Sequence, residues 1–469
     1  MKRWIALGLG WVALTASASG ADLLEVYTRA LSNDPQIREA DATRKASRES
    51  KPQALAALLP QVSGTWSRDK DNTDGLSRSQ FVLNGGIVPS DRSGNGDATT
   101  KRWSVDLRQN VFSWVNWVAL KRADRQVAQA EADYLAASQD LISRVAERYF
   151  DVLAAGDTVD AQESAFAAIS RQLEQADKRF EVGLIAITDV QEAKAARDSA
   201  AAATIAAKRS LASTEEFLRE ITGEKYASLA KPGAAMPLQV PDPNSEDKWV
   251  ELSMAQNLAL VSSRLQADIA RDNVRAAFGG HLPTVDLVAG RTNTRQDSET
   301  RLRTPTGALS TGTSDQDGDS YTIQVNVPLF SGGATQSRVR QSEYQWQAAR
   351  ERLTRVSRQT ERLARDAYLG VSSEISRVNA LRQALESSQT ALKATEAGYE
   401  VGTRTAVDVL DARRALVAAQ TNYARSRYDY VLNVLRLRLA SGTLDQRALE
   451  EVNAWLAEKP AATPAQPAR

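Results

Sequence analysis

A stretch from Val115 to Lys178 contains no proline and one glycine, Gly156. Its apolar and small residues recur at alternating steps of three and four: Leu120, Ala123, Val127, Ala130, Tyr134, Ala137 and Leu141. This spacing is the heptad pattern of a helix that packs along one seam. At about 1.5 Å per residue, a helix of roughly 60 residues reaches about 90 Å, too long for the inside of a compact globular domain. The stretch therefore predicts a long coiled-coil helix.

The chain also repeats itself. Equivalent residues in the two halves are 219 positions apart: Phe180 and Tyr399, Gly183 and Gly402, Asp189 and Asp408, Gly223 and Gly442. Nearer the start of each unit the offset drifts, from 223 at Leu59 and Leu282 to 218 at Phe112 and Phe330. The drift falls in polar, glycine-rich sequence, where a surface loop can absorb a change of length. We interpret the chain as a duplication.

Each unit has the same order of predicted helices. It begins with a helical stretch, at Pro35 to Leu58 or Trp249 to Phe278. The long helix of the second half has its own apolar seam: Leu353, Val356, Leu363, Ala367, Val371, Ile375 and Val378. A tight turn and a further helix, Asp189 to Ile221 or Asp408 to Leu439, complete each unit, so each pair is predicted to be a coiled-coil hairpin.

Between the first helical stretch and the long helix, each unit has two runs of alternating apolar residues. The runs are Val62 to Trp66 and Trp103 to Val111 in the first unit, and Val285 to Ala289 and Tyr321 to Leu329 in the second. Period two predicts strands, and about ten residues is the length that a tilted membrane strand needs. Polar loops are expected between the strands, from about Asp69 to Lys101 and from Asn293 to Ser320. A soluble hairpin is the alternative. Four tryptophans flank the first strand pair and suit a membrane-interface belt or ordinary packing: Trp66, Trp103, Trp114 and Trp117.

The N-terminus has the features of a secretory signal peptide. Lys2 and Arg3 precede an apolar run from Trp4 to Leu14, and small residues follow. The run is shorter than the roughly 20 apolar residues of a spanning helix. Cleavage is expected near Ala18 or Ala21, which the sequence leaves open.

Composition excludes several functions. The 59 basic and 58 acidic residues give a net charge of +1, which indicates no nucleic-acid partner. There is no cysteine, and His281 is the single histidine, so neither a lipidated N-terminal cysteine nor a transition-metal site is expected. No nucleophile–base set or phosphate loop appears, and we predict no enzymatic activity and no cofactor. His281 is expected to form a hydrogen bond at a helix-to-strand junction.

These signals predict five segments. Residues 1–21 form the signal peptide, 22–223 the first structural repeat, and 224–248 a linker or equatorial region, with four prolines between Pro232 and Pro243. Residues 249–442 form the second repeat. Residues 443–469 form a C-terminal equatorial segment and a disordered tail. From the helices alone, a periplasmic coiled-coil tether or adaptor is the competing interpretation.

Several motifs resemble one known family. The run from Glu396 to Ala412 is similar to the turn between the last long helices of the TolC family of outer-membrane export channels, and Val182 to Gln191 resembles the equivalent turn of the first repeat. His281 to Thr284 and Ser441 to Leu444 are similar as well. The similarity extends from about Asp22 to Leu456. The long turn motif is specific, whereas a lone Leu-Pro pair would be weak.

The resemblance implies an α+β membrane protein that forms a homotrimer. Four strands per chain would contribute to a shared twelve-stranded β-barrel in the outer membrane, and the long helices would form a coiled-coil tube across the periplasm. It implies a passive exit duct for drugs, small molecules or proteins of type I secretion. The implied partners are outer-membrane lipid, a periplasmic adaptor (membrane fusion) protein and an inner-membrane pump of the RND or ABC type.

The resemblance also implies residues for opening and closing. Tyr399 and Arg404 match the family's periplasmic gate residues, and Asp189 and Gln172 match their partners. Asp408 and Asp411 are one helical turn apart and would form a pore ring of six carboxylates in a trimer, able to bind multivalent cations. The alternative for each of these residues is a solvated charge at a helix end.

Overall fold

The structure is a computed structural model and describes residues 21–83, 85–233, 236–302 and 309–456. The predicted signal peptide, apart from Ala21, and the predicted C-terminal tail lie outside the described residues. The helices, in chain order, are α1 Leu23–Asn33, α2 Pro35–Arg48, α3 Ser50–Ala56, α4 Trp114–Glu181, α5 Ile187–Thr222, α6 Glu246–Gln256, α7 Leu258–Phe278, α8 Ala334–Glu400, α9 Ala406–Ser441 and α10 Gln446–Ala454. The strands are β1 Gln61–Leu83, β2 Gly86–Phe112, β3 Thr284–Leu302 and β4 Leu309–Asn326.

The long helices have the predicted lengths and positions. Helices α4 and α8 contain 68 and 67 residues. Helices α5 and α9 contain 36 residues each. Both α5 and α9 end at a glycine with positive φ, Gly223 at +74° and Gly442 at +77°, a conformation that glycine adopts without steric cost. The two halves thus use the same stop signal, while the exact limits of the predicted repeats stay a prediction.

The shorter helical stretches are more divided than predicted. Residues 35–58 form α2 and α3, and 249–278 form part of α6 and α7. The break at Asn257 has a local cause, because its side-chain Oδ1 accepts a hydrogen bond from the backbone N–H of Leu260 at 3.1 Å and caps the new helix. Helix α1 was not predicted.

The four strands form one antiparallel sheet in the order β1-β2-β3-β4. Strand β2 of the first unit pairs with β3 of the second, so the sheet joins the strand pairs of both halves. Strands β1 and β4 are its edges.

The predicted polar loops are wrong over most of their length. The strands continue through them, and β1 pairs with β2 without interruption from Gln61↔Arg108 to Leu83↔Gly86. Strand β3 likewise pairs with β4 up to Arg301↔Leu309. The backbone ladder needs only N–H and C=O groups, so it can extend where neither face carries apolar residues. Period-two hydrophobicity cannot detect such a strand.

The end of the sheet that is next to the helices in the chain, around Val62 and Tyr321, has two unlike faces. One face carries apolar side chains in cross-strand rows, such as Val62, Leu107, Ala289 and Tyr321. Val62 is 66% exposed and Tyr321 81%. The opposite face carries Ser63, Asp106, Gly290 and Ser320 in the neighbouring row, all of them small or polar. We call these the apolar face and the polar face.

The chain divides into two compact units, each drawn from both sequence halves. Unit 1 contains residues up to Arg44, Glu131–Ser263 and Leu353 onward. Its core includes the fully buried Tyr149, Phe150 and Tyr430. Phe150 stacks on Tyr428 with ring centroids 5.6 Å apart.

Unit 2 contains Lys45–Ala130 and Arg264–Arg352, and hence the sheet. It holds a buried carboxylate, Asp272, that pairs with Arg125 and, at 3.0 Å, with Arg275. His281 lies at the predicted helix-to-strand junction, in a short 3-10 turn from Gly279 to His281. Its ring contacts Phe278, with centroids 5.8 Å apart.

Of the seven predicted seam positions of the second long helix, two are buried, four are half-buried and one is exposed. Val371 is fully buried and Val378 is 3% exposed, whereas Leu363 is 42% exposed. The neighbouring Ala364 is fully buried instead. A small residue lets two backbones approach closely, so the seam runs through alanine here. Among the described helices, none is both long enough and apolar enough to cross a membrane.

Candidate functional site

The candidate site lies in unit 1, around the turns that connect α4 to α5 and α8 to α9. Both turns contain a glycine with positive φ, Gly183 at +76° and Gly402 at +78°. Each turn is closed by a backbone hydrogen bond to the last helical turn: Leu184 N–H donates to Arg179 at 2.8 Å, and Thr403 N–H donates to Gly398 at 2.8 Å. The two turns are therefore equivalent in backbone geometry.

The turns differ in how the next helix begins. Thr405 is the N-cap of α9 and forms a capping box with Asp408. Its Oγ1 accepts from the Asp408 N–H at 3.2 Å, and Asp408 Oδ2 accepts from the Thr405 N–H at 2.9 Å. At the equivalent position before α5 stands Ala186, which has no side-chain cap. Alanine has no side-chain oxygen, so the reciprocal capping box of α9 has no equivalent at the start of α5, where Asp189 is the counterpart of Asp408.

The capping box also changes the acidity of Asp408. The backbone N–H and the hydroxyl of Thr405 donate to its carboxylate, and the positive charge of Arg404 adds to them, so the pKa of Asp408 lies below its ordinary value. These contacts stabilise the charged form of Asp408 at the helix N-terminus.

Tyr399 makes its aromatic contact with a residue that was not predicted. The guanidinium of Arg179, near the end of α4, lies 5.2 Å from the centre of the Tyr399 ring, near the end of α8. Such a cation–π contact contributes about 0.5–1 kcal/mol at an exposed site. It connects the two hairpins within one chain. In the sequence, Arg179 is marked only by its place beside the repeated turn motif.

Arg404 and Asp189 do not meet within one chain. Arg404 is exposed, with its Cγ close to Gly398, where an added Cβ would come within 2.7 Å of it. Asp189 is half-buried in the first turn of α5. Over the described residues, neither side chain forms an ion pair within 4.0 Å.

Gln172 is the fourth predicted gate residue. Both atoms of its side-chain amide are buried and have no hydrogen-bond partner among the described residues. A buried polar group without a partner costs about 1–3 kcal/mol. The side chain borders a groove of about 600 Å³ between the hairpins, lined also by Arg171, Lys178, Arg179, Tyr399 and Arg413.

The two carboxylates predicted to form a pore ring, Asp408 and Asp411, have local partners. Ala406, Val409 and Leu410 are the buried residues at the start of α9, and Asp411 is exposed. Its Oδ1 accepts from Arg414 Nη1 at 3.1 Å. Arg414 and Thr405 were not predicted, although a threonine three residues before an acid is a sequence signal for a capping box. Among the described residues, no group of three or more His, Cys, Asp and Glu side chains could hold a metal ion.

Comparison with known proteins gives a consistent result. A family model described as "Outer membrane efflux protein" matches residues 26–224 and 249–443. The outer membrane protein TolC of Vibrio cholerae serotype O1 is 36% identical over 458 residues, covering 97% of this chain and 98% of the relative. TolC of Escherichia coli K12 is 34% identical, covering 98% and 90%.

A more distant relative and a solved structure agree with this. The alkaline protease secretion protein AprF of Pseudomonas aeruginosa is 28% identical, covering 97% of this chain and 91% of the relative. A crystal structure of CusC superimposes with a TM-score of 0.71 at 18% identity, covering 93% of this chain and 95% of that one. At that identity the likeness concerns the fold alone.

Proposed function

This chain belongs to the outer membrane efflux protein family, and on that premise we propose that it forms a passive exit duct closed at its periplasmic end by the two hairpin turns. It is an outer-membrane efflux and secretion channel that extends into the periplasm, and it is not an enzyme. The family works as trimers together with periplasmic adaptors and inner-membrane pumps.

The observation that carries the proposal is the incomplete sheet. Four strands are too few for a closed membrane barrel, which needs about eight or more. Over the described residues, β1 and β4 each pair on one side only, and the apolar face is exposed to solvent. Three copies that share one wall would pair every edge and give twelve strands, with the apolar face toward lipid.

The gate residues support a tip that closes between copies or between hairpins. Gln172 has a buried amide without a partner, and Asp189 and Arg404 have no ion pair in the described part of the chain. These groups have complementary chemistry: a carboxylate, a guanidinium, a phenol and an amide. Charge-assisted hydrogen bonds contribute about 1.5–3 kcal/mol each, so three sets could hold the duct closed and still yield to a docking partner.

The same proposal includes the docking site of the adaptor and the type of the pump. An adaptor would dock on the hairpins, and the pump would be of the RND or ABC type. AprF and the proteases secretion protein PrtF of Dickeya chrysanthemi are named for protease secretion, which favours protein export as a second use beside efflux of small molecules.

The test is single-channel conductance in a planar lipid bilayer. Replacement of Arg404 by Ser together with Tyr399→Phe is expected to raise conductance severalfold, because the changes remove the guanidinium and the phenol hydroxyl that would hold the proposed tip closed. The ring contact with Arg179 is retained in this variant. Arg382→Ser with Tyr344→Phe is the matched control; both residues are exposed on α8 outside the turn, and conductance should not change. Unchanged conductance in the first variant would contradict the gate. A wild-type chain that forms no channels would contradict the duct.

A further inference from the structure

A row of basic side chains crosses three strands of the sheet. Arg68 on β1 lies directly opposite Lys101 on β2, and Lys101 lies directly opposite Arg295 on β3. Asp315 on β4 is the fourth member of this row. Arg68, Lys101 and Arg295 are exposed. We call these three residues the basic row.

The basic row belongs to the apolar face. Side chains two positions apart on a strand lie on the same face, so Arg68 follows Trp66 and Val62, and Lys101 follows Trp103. Trp66 and Trp103 are direct cross-strand partners, 69% and 40% exposed. Along β1 and β2, the order on this face is thus aliphatic residues, then a tryptophan pair, then the basic row about 7 Å further along. On β3 and β4 the same face carries Arg291 and Asp319, an ion pair at 3.8 Å, one row before the tryptophans.

That order is typical of a membrane boundary. Exposed tryptophans mark the level of the lipid headgroups on membrane proteins, and the aliphatic side chains beneath them face the hydrocarbon. The basic row therefore reaches the headgroup level on the outer wall of the sheet.

Within the chain, the basic row is poorly neutralised. Like charges placed directly opposite each other destabilise an antiparallel pair. Arg295 has a long contact with Asp297, at 3.8 Å, in addition to Asp315 beside it. Neither Arg68 nor Lys101 has a carboxylate within 4.0 Å among the described residues. Lys70, the next residue of β1 on the same face, adds a further positive charge.

We propose that the basic row binds the phosphate groups of anionic lipid headgroups that pack against the apolar face of the sheet. Guanidinium and ammonium groups are the usual ligands of phosphate, and three of them in a row fit a headgroup with more than one phosphate. Such binding would neutralise the opposed cations. The inference rests on the sheet's position in the outer membrane and is independent of the gate.

The test uses the purified trimer and a matched pair of variants. Arg102 is the next residue to Lys101 on the same strand, but it lies on the polar face, where its Nε donates to Thr294 Oγ1 at 3.3 Å. The trimer is titrated in turn with three ligands: lipid A with both phosphates, its monophosphoryl form, and inorganic phosphate. Native mass spectrometry counts the bound molecules. Lipid A with both phosphates should bind most tightly.

Binding of this lipid should weaken roughly fivefold for each basic-row charge removed, as expected for cations at an anionic membrane surface. The affinity of R68Q/K101Q for this lipid should fall by the product of two such factors. K101R should bind the lipid like the wild type, and the affinity of R102Q should not change. Retained channel conductance in R68Q/K101Q alongside this loss would support a lipid site that is separate from the duct.

Three results would overturn the inference. The first is equal loss in R102Q and R68Q/K101Q. The second is inorganic phosphate competing at the same concentration as lipid A, which would indicate a free-anion site. The third is failure of R68Q/K101Q, but not R102Q, to form trimers, which would indicate that acidic residues of a neighbouring copy are the real partners. A wild type that neither trimerises nor conducts would contradict the proposed duct instead.

Discussion

At the N-cap position the two hairpin turns differ, with threonine at position 405 and alanine at position 186. Thr405→Ala should destabilise the first turn of α9 by about 1 kcal/mol, because it removes the Oγ1 that accepts from the Asp408 N–H and leaves only the backbone half of the capping box. Hydrogen–deuterium exchange of a peptide across the turn, read by mass spectrometry, should be about fivefold faster. Ala186→Thr is the reciprocal variant: it can form the missing box with Asp189 and should slow exchange at α5. No change in either variant would contradict the role of the cap.

This effect has a defined pH dependence. The pKa of Asp408 is lower in the folded chain than in the unfolded chain. The ionised carboxylate therefore stabilises the folded chain fully at pH values above its pKa in the unfolded chain, about 3.9. This stabilisation is lost as the pH falls through the lowered pKa of Asp408 in the folded chain. The difference between Thr405→Ala and wild type should therefore shrink below about pH 4.

The proposed carboxylate ring can be tested at the same scale. Asp408→Ala with Asp411→Ala should abolish channel block by multivalent cations, since it removes six carboxylates from a trimer. Arg414→Gln should strengthen the block, because Arg414 is the counter-charge of Asp411 at 3.1 Å. Block is measured as the concentration that halves conductance in a planar bilayer. Persistent block in the double variant would remove the ring hypothesis.

At the scale of elements, the seam of α8 gives a contrast between two predicted positions. Val371→Ala should cost about 1–3 kcal/mol, because Val371 is fully buried and the change leaves a cavity. Leu363→Ala should cost less than about 0.5 kcal/mol, since Leu363 is 42% exposed. Thermal unfolding of the trimer compares the two. Equal losses would mean that Leu363 is buried against another copy.

The strands show where pattern analysis stops. The runs at Val62 to Trp66 and Tyr321 to Val325 alternate between apolar and polar residues, so their strands were predictable. The polar parts, such as Asp69↔Thr100 and Asn293↔Asp317, have no such alternation. They are strands because the backbone hydrogen-bond ladder that begins in the apolar runs continues through them. The extension is a cooperative property of the two paired segments and not of either segment alone.

At the scale of the whole molecule, the edges of the sheet decide the assembly. The mature chain is expected to require detergent and to run as a heat-modifiable trimer on gel electrophoresis, because only a closed wall pairs the edges of β1 and β4. Boiling should convert the trimer band to a monomer band. A chain that stays monomeric and dissolved in buffer without detergent would contradict the assembly and would favour the coiled-coil tether.

The compact units also belong to this scale. The sequence predicts two repeats that follow each other, yet each unit takes segments from both halves. The cause is the order of elements: every strand pair is flanked by helices, and the two strand pairs join through β2 and β3. Long-range pairing of this kind leaves no periodic mark in the sequence.

The sequence alone determined the features that depend on local order: long helices without proline, the 219-residue repeat, the glycines of the turns and the strand runs beside the tryptophans. Each follows from spacing or backbone conformation within a short segment. Only the tertiary structure decided the full length of the strands, the Arg179–Tyr399 contact, the burial of Ala364 in place of Leu363, and the opposed cations of the basic row. Those features arise between segments that are distant in the chain, where the packing of one backbone against another selects which side chains meet.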